Sequence, residues 1–369
     1  MIKNIDRWIG SYLKQQWGRA FKTPDIRRPI HIMFCCVDHF EPDWSGAGAE
    51  QQRKRVMRWI KEYPLVVKEY QDTDGCHPKH TFFYPAECYV REHLELLSKL
   101  CCEDYAEVEV HLHHDGDSEE SFRNKLEDAK RNFSQHQLLG KRGLSNQIRF
   151  AFIHGNWALN NSRSDGRYCG VNDETRILAE AGCYADFTYP SAPNETQPQK
   201  INSIYYVRSN AMNPKTHNTG VAARVGQFAQ GDLLMIQGPL TLNWRNRKKG
   251  VVPRIENGAI TGANPPTQQR VDLWIEQNIC VQGKPDWIFV KVHTHGAPER
   301  NADALLGKPI EAMHRYLTTK YNDRVNYQMH YVTAREMYNI IKAAEAGERG
   351  NPGDYRNYMI QRGGSNGSI

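Results

Sequence analysis

The chain has 369 residues, 39% hydrophobic and 24% charged, with a formal charge of +6. This length suits one α/β barrel with a single large core as well as two average domains. No apolar run approaches the roughly 18 residues that span a bilayer, which excludes membrane insertion. The one dense basic run, Arg245 to Lys249, lacks interleaved aromatics, so no nucleic-acid partner is expected.

Residues 1–28 read as a helical extension, with Ile5, Trp8, Ile9, Tyr12 and Leu13 spaced among charges unlike the unbroken core of a secretion signal. A cytoplasmic protein follows, and the sequons at Asn132, Asn161 and Asn194 then carry no weight. The nine cysteines include the adjacent pairs Cys35/Cys36 and Cys101/Cys102. They form neither an even set nor a CxxC pattern, and reduced thiols are expected.

Apolar, β-branched or aromatic runs predict strands at Ile30 to Val37, His80 to Tyr84, Val108 to Leu112, Ile148 to Ile153, Asp186 to Tyr189, Leu233 to Ile236 and Ile288 to Val292. Helices with legible caps lie between several of them. Asp117 and Glu120 form a D-x-x-E box before Phe122 to Phe133; Asn172 opens Asp173 to Ala181, which Gly182 closes; Thr333 and Glu336 cap Ala334 to Ala344. Alternation of strand and helix predicts a parallel α/β fold over residues 29–346. Seven strands suit a barrel. An open doubly wound sheet gives the same alternation, but no Gly-x-Gly-x-x-Gly follows any strand. Residues 194–266 are expected to form long loops around the strand at Leu233, and residues 347–369 a flexible tail.

The densest chemistry lies in Glu107-Val-Glu-Val-His-Leu-His-His-Asp-Gly-Asp117. Strand alternation puts Glu107, Glu109, His111 and His113 on one face. Histidines at i and i+2 can converge on one metal, zinc being the natural choice for neutral imidazoles. Two polar histidines satisfied by water or backbone are the competing reading. A second His-x-His, His293 and His295, ends the apolar strand at Ile288, and Asp38, His39 and Glu41 directly follow the strand at Ile30. In parallel α/β folds the C-terminal strand ends share one rim, so the three segments are expected to face one another. After the strand at Ile148 come His154, Asn156 and Trp157. They suit a sugar ring and its hydroxyls, or equally an interior Trp with turn-forming asparagines. Trp44, Tyr84 and Tyr89 are further groove candidates.

In their order, these segments resemble the polysaccharide deacetylases, metal-dependent carbohydrate esterases with the nodulation-factor deacetylase homology domain. Cys36-Val-Asp-His-Phe stands where that family has Thr-Phe-Asp-Asp-Gly, and His80-Thr-Phe-Phe-Tyr where it has Ala-Thr-Phe-Phe. Glu109-Val-His is similar to the start of its histidine motif, and Gly182-Cys-Tyr-Ala-Asp-Phe-Thr to a later strand. Val290 to His293 matches its last strand, and Thr333-Ala-Arg-Glu its final helix start. The resemblance runs over roughly Pro29 to Ala346. It implies a distorted (β/α) barrel of about seven parallel strands, like a TIM barrel, in a hydrolase that removes N-acetyl or O-acetyl groups from a polysaccharide or amino sugar.

The resemblance further implies a divalent metal, zinc, on His39, His111 and His113, with Asp38 as base and His293 or His295 as acid; His293 matches the family's last-strand histidine, and His295 is otherwise open as a further ligand or an orienting partner. His154, Asn156, Trp157, Asp186 and Tyr84 would bind the carbohydrate, and Glu109 would orient a histidine. The chain departs from the family in three places. The family's second aspartate is His39, and its His-x-x-x-His is absent, leaving His113, His114, Asp115 and Glu41 open as ligands. Its Arg-x-x-x-Gly has no match in Phe152 to Ala158. A glycoside hydrolase of the same superfamily, using Asp38 or Glu41 with Asp186, and a noncatalytic carbohydrate-binding protein are the alternatives.

Overall fold

The computed structural model describes residues 3–21, 29–143, 147–227 and 231–363. Eight parallel strands carry the molecule: β1 (Ile30–His39), β2 (His80–Pro85), β3 (Ala106–Leu112), β4 (Ile148–His154), β5 (Cys183–Asp186), β6 (Leu233–Ile236), β7 (Trp287–Thr294) and β8 (Tyr327–Tyr331). Nine α-helices accompany them among the described residues: α1 (Ile9–Phe21), α2 (Ala49–Val67), α3 (Arg91–Cys102), α4 (Glu119–Ser134), α5 (Glu174–Ala181), α6 (Gln268–Glu276), α7 (Glu299–Leu305), α8 (Lys308–Lys320) and α9 (Ala334–Ala346).

Every residue of β1 is buried, because alternate side chains serve two cores. Ile30, Ile32 and Phe34 pack with Val56 and Trp59 of α2, whereas Met33, Cys35 and Val37 pack with Phe83, Phe289 and Met337 of α9. A strand covered on both faces reads as a continuous apolar run, which is why it was visible in the sequence. The strands form one large, mostly parallel sheet in a mixed α/β fold. Seven of them run β7-β1-β2-β3-β4-β5-β6, each pair parallel. β8 joins the first half of β1, from Ile30 to Phe34, while β2 joins its second half. Across the sheet, Lys291 of β7 donates to the carbonyls of Phe187 and Tyr189, just past β5, at 2.7 and 2.5 Å. Gly238, just past β6, donates its amide to Tyr189. It lies so near Lys291 that a Cβ there would fall on that residue's carbonyl oxygen.

Three local readings change. The fifth strand is Cys183–Asp186, displaced toward the N-terminus from the expected Asp186 to Tyr189. The cap of α4 is Ser118, in a reciprocal box with Ser121, and Asp117 instead accepts from Ser121 Oγ and Lys125. Residues 347–363 are packed and not loose. Ile360 is buried and pairs with Arg142, its carbonyl accepts from Arg335 and Asn339, and Arg356 joins Asp72, Asp74 and Glu336. Residues 364–369 lie outside the described residues. The expected capping box at Thr333 and Glu336 and the glycine cap at Gly182 are present. The cysteines are free thiols. No helix among the described residues is long and apolar enough to cross a membrane.

α9 is tied to β3 by an ion pair buried at both ends. Glu107 accepts from Arg335 at 2.7 and 2.9 Å and from Thr333 Oγ1 at 2.7 Å. Removing one partner of such a pair strands a buried charge, so Arg335→Met is expected to cost about 3–5 kcal/mol in denaturant unfolding. A loss below about 1 kcal/mol would deny the pair that role.

Burial pushes the neighbouring Glu336 carboxyl up, but Arg356 and Lys79 outweigh it and take it from the ordinary 4.5 down to about 2. Because the folded value is depressed, its stabilisation is complete above pH 4.5 and is lost as pH falls toward 2. Glu336→Gln should therefore flatten the stability-against-pH curve across that window. An unchanged acid slope would contradict the assignment.

Candidate functional site

Parallel pairing brings the C-terminal ends of β1, β2, β3, β4 and β7 to one rim. Asp38 lies level with Thr294 in the β1–β7 register, and His111 level with Pro85 and Ile153. Five side chains there form two overlapping groups whose ligand atoms lie within 4.8 Å of one another: His39, Glu41 and His295, and Glu41, His111 and His113. Glu41 belongs to both.

The hydrogen bonds fix how the imidazoles point. His111 Nδ1 faces the Ile153 carbonyl at 2.9 Å, and since a carbonyl only accepts, Nδ1 carries the proton. His111 Nε2 therefore offers a lone pair, yet it faces Glu41 Oε1 at 3.1 Å. His113 has the same arrangement, with Nδ1 on Glu87 Oε1 at 2.6 Å and Nε2 turned to Glu41 Oε1 at 3.5 Å. The rings of His39 and His295 stack with centroids 4.6 Å apart, and His39 lies 5.0 Å from His111. Lone pairs converging on a carboxylate oxygen repel unless a cation or a proton sits among them.

Burial, aided by the neighbouring imidazoles, keeps His39 well below the ordinary histidine range. Burial and His113 take His111 down to about 4. His295 is lowered chiefly by burial, against the pull of Glu41 and Asp38. In His113 burial is overridden by Glu87, which raises it. Glu41 is raised by burial against the opposing His295 and His113. Largely neutral imidazoles beside one carboxyl are a donor set suited to a transition metal.

The other expected site residues divide. Asp38 adjoins His39 in sequence but lies on the opposite face of β1, fully buried. There Oδ2 meets His80 Nε2 at 2.9 Å, and Oδ1 accepts the Gly296 amide at 2.6 Å. Gly296 must be glycine, since a Cβ would fall on the Asp38 carboxylate. Asp38 thus clamps the turn that presents His295. His295, open as a further ligand or an orienting partner of His293, stands among the potential ligands.

His293 lies outside the ligand groups, 6.4 Å from His39 by ring centroid, and its buried Nδ1 has no hydrogen-bond partner. Burial, then Lys291 and His295, pushes it well below the ordinary range, so the expected titration near 6.5 does not hold. A groove of about 430 Å³ opens beside it, lined by Trp157, Ser191, Asn257, Thr261, His293 and His295. Trp157 lies 6.3 Å from both His39 and His295, and its buried Nε1 has no partner among the described residues. Trp44 approaches His295 at 5.3 Å.

Several expected contacts are absent from this rim. His154 is buried on the far side of its strand, with His114 and Glu174. Asn156 is exposed, its backbone at φ 55°, in the turn that carries Trp157. Asp186 is buried, with both oxygens taken by Thr188. Tyr84 is buried under β2, bonded to Cys88 and His93. Glu109 accepts from Ala151 and Tyr184 and orients no histidine. Among the open ligand candidates, Asp115 accepts from the Tyr168 amide and His114 joins the second cluster, leaving Glu41 and His113 at the rim.

Sequence reasoning missed His80 and Glu87, which hold Asp38 and His113. Both act across strands, where no sequence spacing reports them. The Asp72, Asp74 and His330 group lies toward the other end of the strands and already has Arg356 as its cation. No family model matches this chain, and no curated protein is significantly similar to it.

Proposed function

We propose that the protein is a metal-dependent hydrolase that removes acetyl groups from a carbohydrate, with three imidazoles from among His39, His111, His113 and His295, His111 included, holding the metal beside Glu41 and leaving a position open to water. The observation that carries this reading is the convergence of His111 Nε2 and His113 Nε2 on Glu41 Oε1, an arrangement that a cation or a shared proton stabilises. Zinc fits the donor set. The strand order β7-β1-β2-β3-β4-β5-β6, with Lys291 reaching across to the end of β5, supports a distorted seven-stranded barrel of the deacetylase type.

A bound divalent metal would polarise the acyl carbonyl and acidify water. Glu41 takes the proton from the attacking water, because it is the carboxylate that faces the imidazoles and keeps some exposure. Asp38, walled off on the other face, positions the His295 turn. His293, which lines the groove but is held neutral by burial in the free protein, would have to gain a proton as the leaving group develops charge and pass it to the departing amine or alcohol. Trp157 supplies an apolar wall for a sugar ring. The rival glycosidase pair is disfavoured by Asp186, whose oxygens are turned to Thr188.

Trp157→Ala should raise KM about tenfold or more while changing kcat little, as expected for lost binding common to ground and transition states. A fall in kcat at constant KM would place Trp157 in the chemistry instead. Product analysis with acetylated amino-sugar oligomers tests the function: acetate supports it, and reducing ends without acetate overturn it.

A further inference from the structure

We propose that His114, His154, Cys169 and Glu174 form a second metal site, closed and structural, that takes a zinc-like divalent cation through four protein ligands. The four side chains are buried, and one ligand atom from each lies within 4.8 Å of the others. The site is independent of the hydrolase reading. It lies behind the rim, and the adjacent residues His113 and His114 face different centres.

Three observations carry it. First, His154 Nδ1 meets the Gly155 carbonyl at 2.5 Å and so must be the protonated nitrogen. His154 Nε2 is then a bare lone pair, buried, 3.4 Å from Glu174 Oε1 and without a hydrogen-bond partner. Second, His114 Nε2 meets the same oxygen at 3.2 Å, while its Nδ1 lies 3.0 Å from Asp117 Oδ2 without a hydrogen bond among the described residues. Third, Cys169 Sγ donates to Glu174 Oε2 at 3.3 Å and accepts backbone N–H groups from Asn161 and Val171 at 3.3 and 3.4 Å. Burial and Glu174 push the thiol up, so the thiolate that binds metal would form as a cation displaces that proton, and the two amides aimed at sulfur would then help to hold it. Ligands around tetrahedral zinc lie roughly 3.3–3.6 Å apart; the contacts to Glu174 already fall near that spacing, and the remaining pairs lie within 4.8 Å.

With four protein ligands and no open position, the ion would be structural. It would fasten the loop carrying Cys169 and the start of α5 to the ends of β3 and β4. Those ends present His113 and Trp157 to the rim. Gly155 packs so closely on His113 that a Cβ would fall on that ring, so displacement of the buried cluster would reach the groove.

The test is cobalt substitution of the full chain, because thiolate ligation gives a charge-transfer absorption in the near ultraviolet and the rim cluster contains no cysteine. The band is expected in wild type and in His111→Ala, and should vanish in Cys169→Ser, with total metal falling by one equivalent. Folding of each variant is followed by circular dichroism. No band in the folded wild type, or a band surviving in Cys169→Ser, overturns the proposal. If Cys169→Ser does not fold, X-ray absorption of the zinc-loaded wild type decides. A sulfur scatterer near 2.3 Å supports the site, and a shell of nitrogen and oxygen alone shows a proton-shared network in its place.

Discussion

Purified His111→Ala protein is expected to hold one metal ion fewer than the parent chain and to release no measurable acetate. His111 is fully buried, its tautomer is set by the Ile153 carbonyl, and its free nitrogen faces Glu41. No neighbouring side chain can take that position. Losing an outer-shell partner alone costs about 10- to 100-fold in metal affinity or activity, so losing the ligand should cost more. Elemental analysis beside circular dichroism checks the result. A folded variant with undiminished metal would remove His111 from the centre.

The second large effect is expected at Glu41. Glu41→Gln keeps the size and one carbonyl oxygen but cannot take a proton. Turnover should fall about 100- to 10,000-fold, with metal content unchanged because four imidazoles remain. Asp38→Asn should do much less, since its amide oxygen still accepts from Gly296. The two variants measured together discriminate. If Asp38→Asn loses turnover and Glu41→Gln does not, Asp38 is the base, as the resemblance to the deacetylases first implied. Loss of metal in Glu41→Gln would make Glu41 a ligand.

What the sequence disclosed follows from which forces are local. β1, β2, β6 and β7 were legible because parallel strands buried on both faces must be apolar throughout. The strand at Cys183 was displaced because Phe187 and Tyr189 are just as apolar, although they belong to the loop whose carbonyls Lys291 binds. Tyr327–Tyr331 went unread because Gln328 and His330 break its apolar run while parallel pairing with β1 still holds it. Residues 347–363 look loose in composition, but Arg335, Asn339 and the acids around Arg356 anchor them.

The same division runs through the site. His39, His111, His113 and His295 were visible as strand-end histidines because period-two alternation assigns them a face. Asp38 was visible as a residue but not in its role, since that alternation turns it away from His39 toward His80. The partners that set the His113 and His111 rings, Glu87 in the turn after β2 and the carbonyl of Ile153 in β4, come from elsewhere in the chain. Cys169 and Glu174 meet His114 and His154 only through tertiary folding.

Metal-dependent deacetylation at the rim is tested most directly by acetate release from acetylated amino-sugar oligomers before chelation, after chelation and after readdition of zinc. Acetate release that stops on chelation and returns with zinc, without new reducing ends, is the predicted result. Hydrolysis indifferent to chelation, or reducing ends in place of acetate, would contradict it.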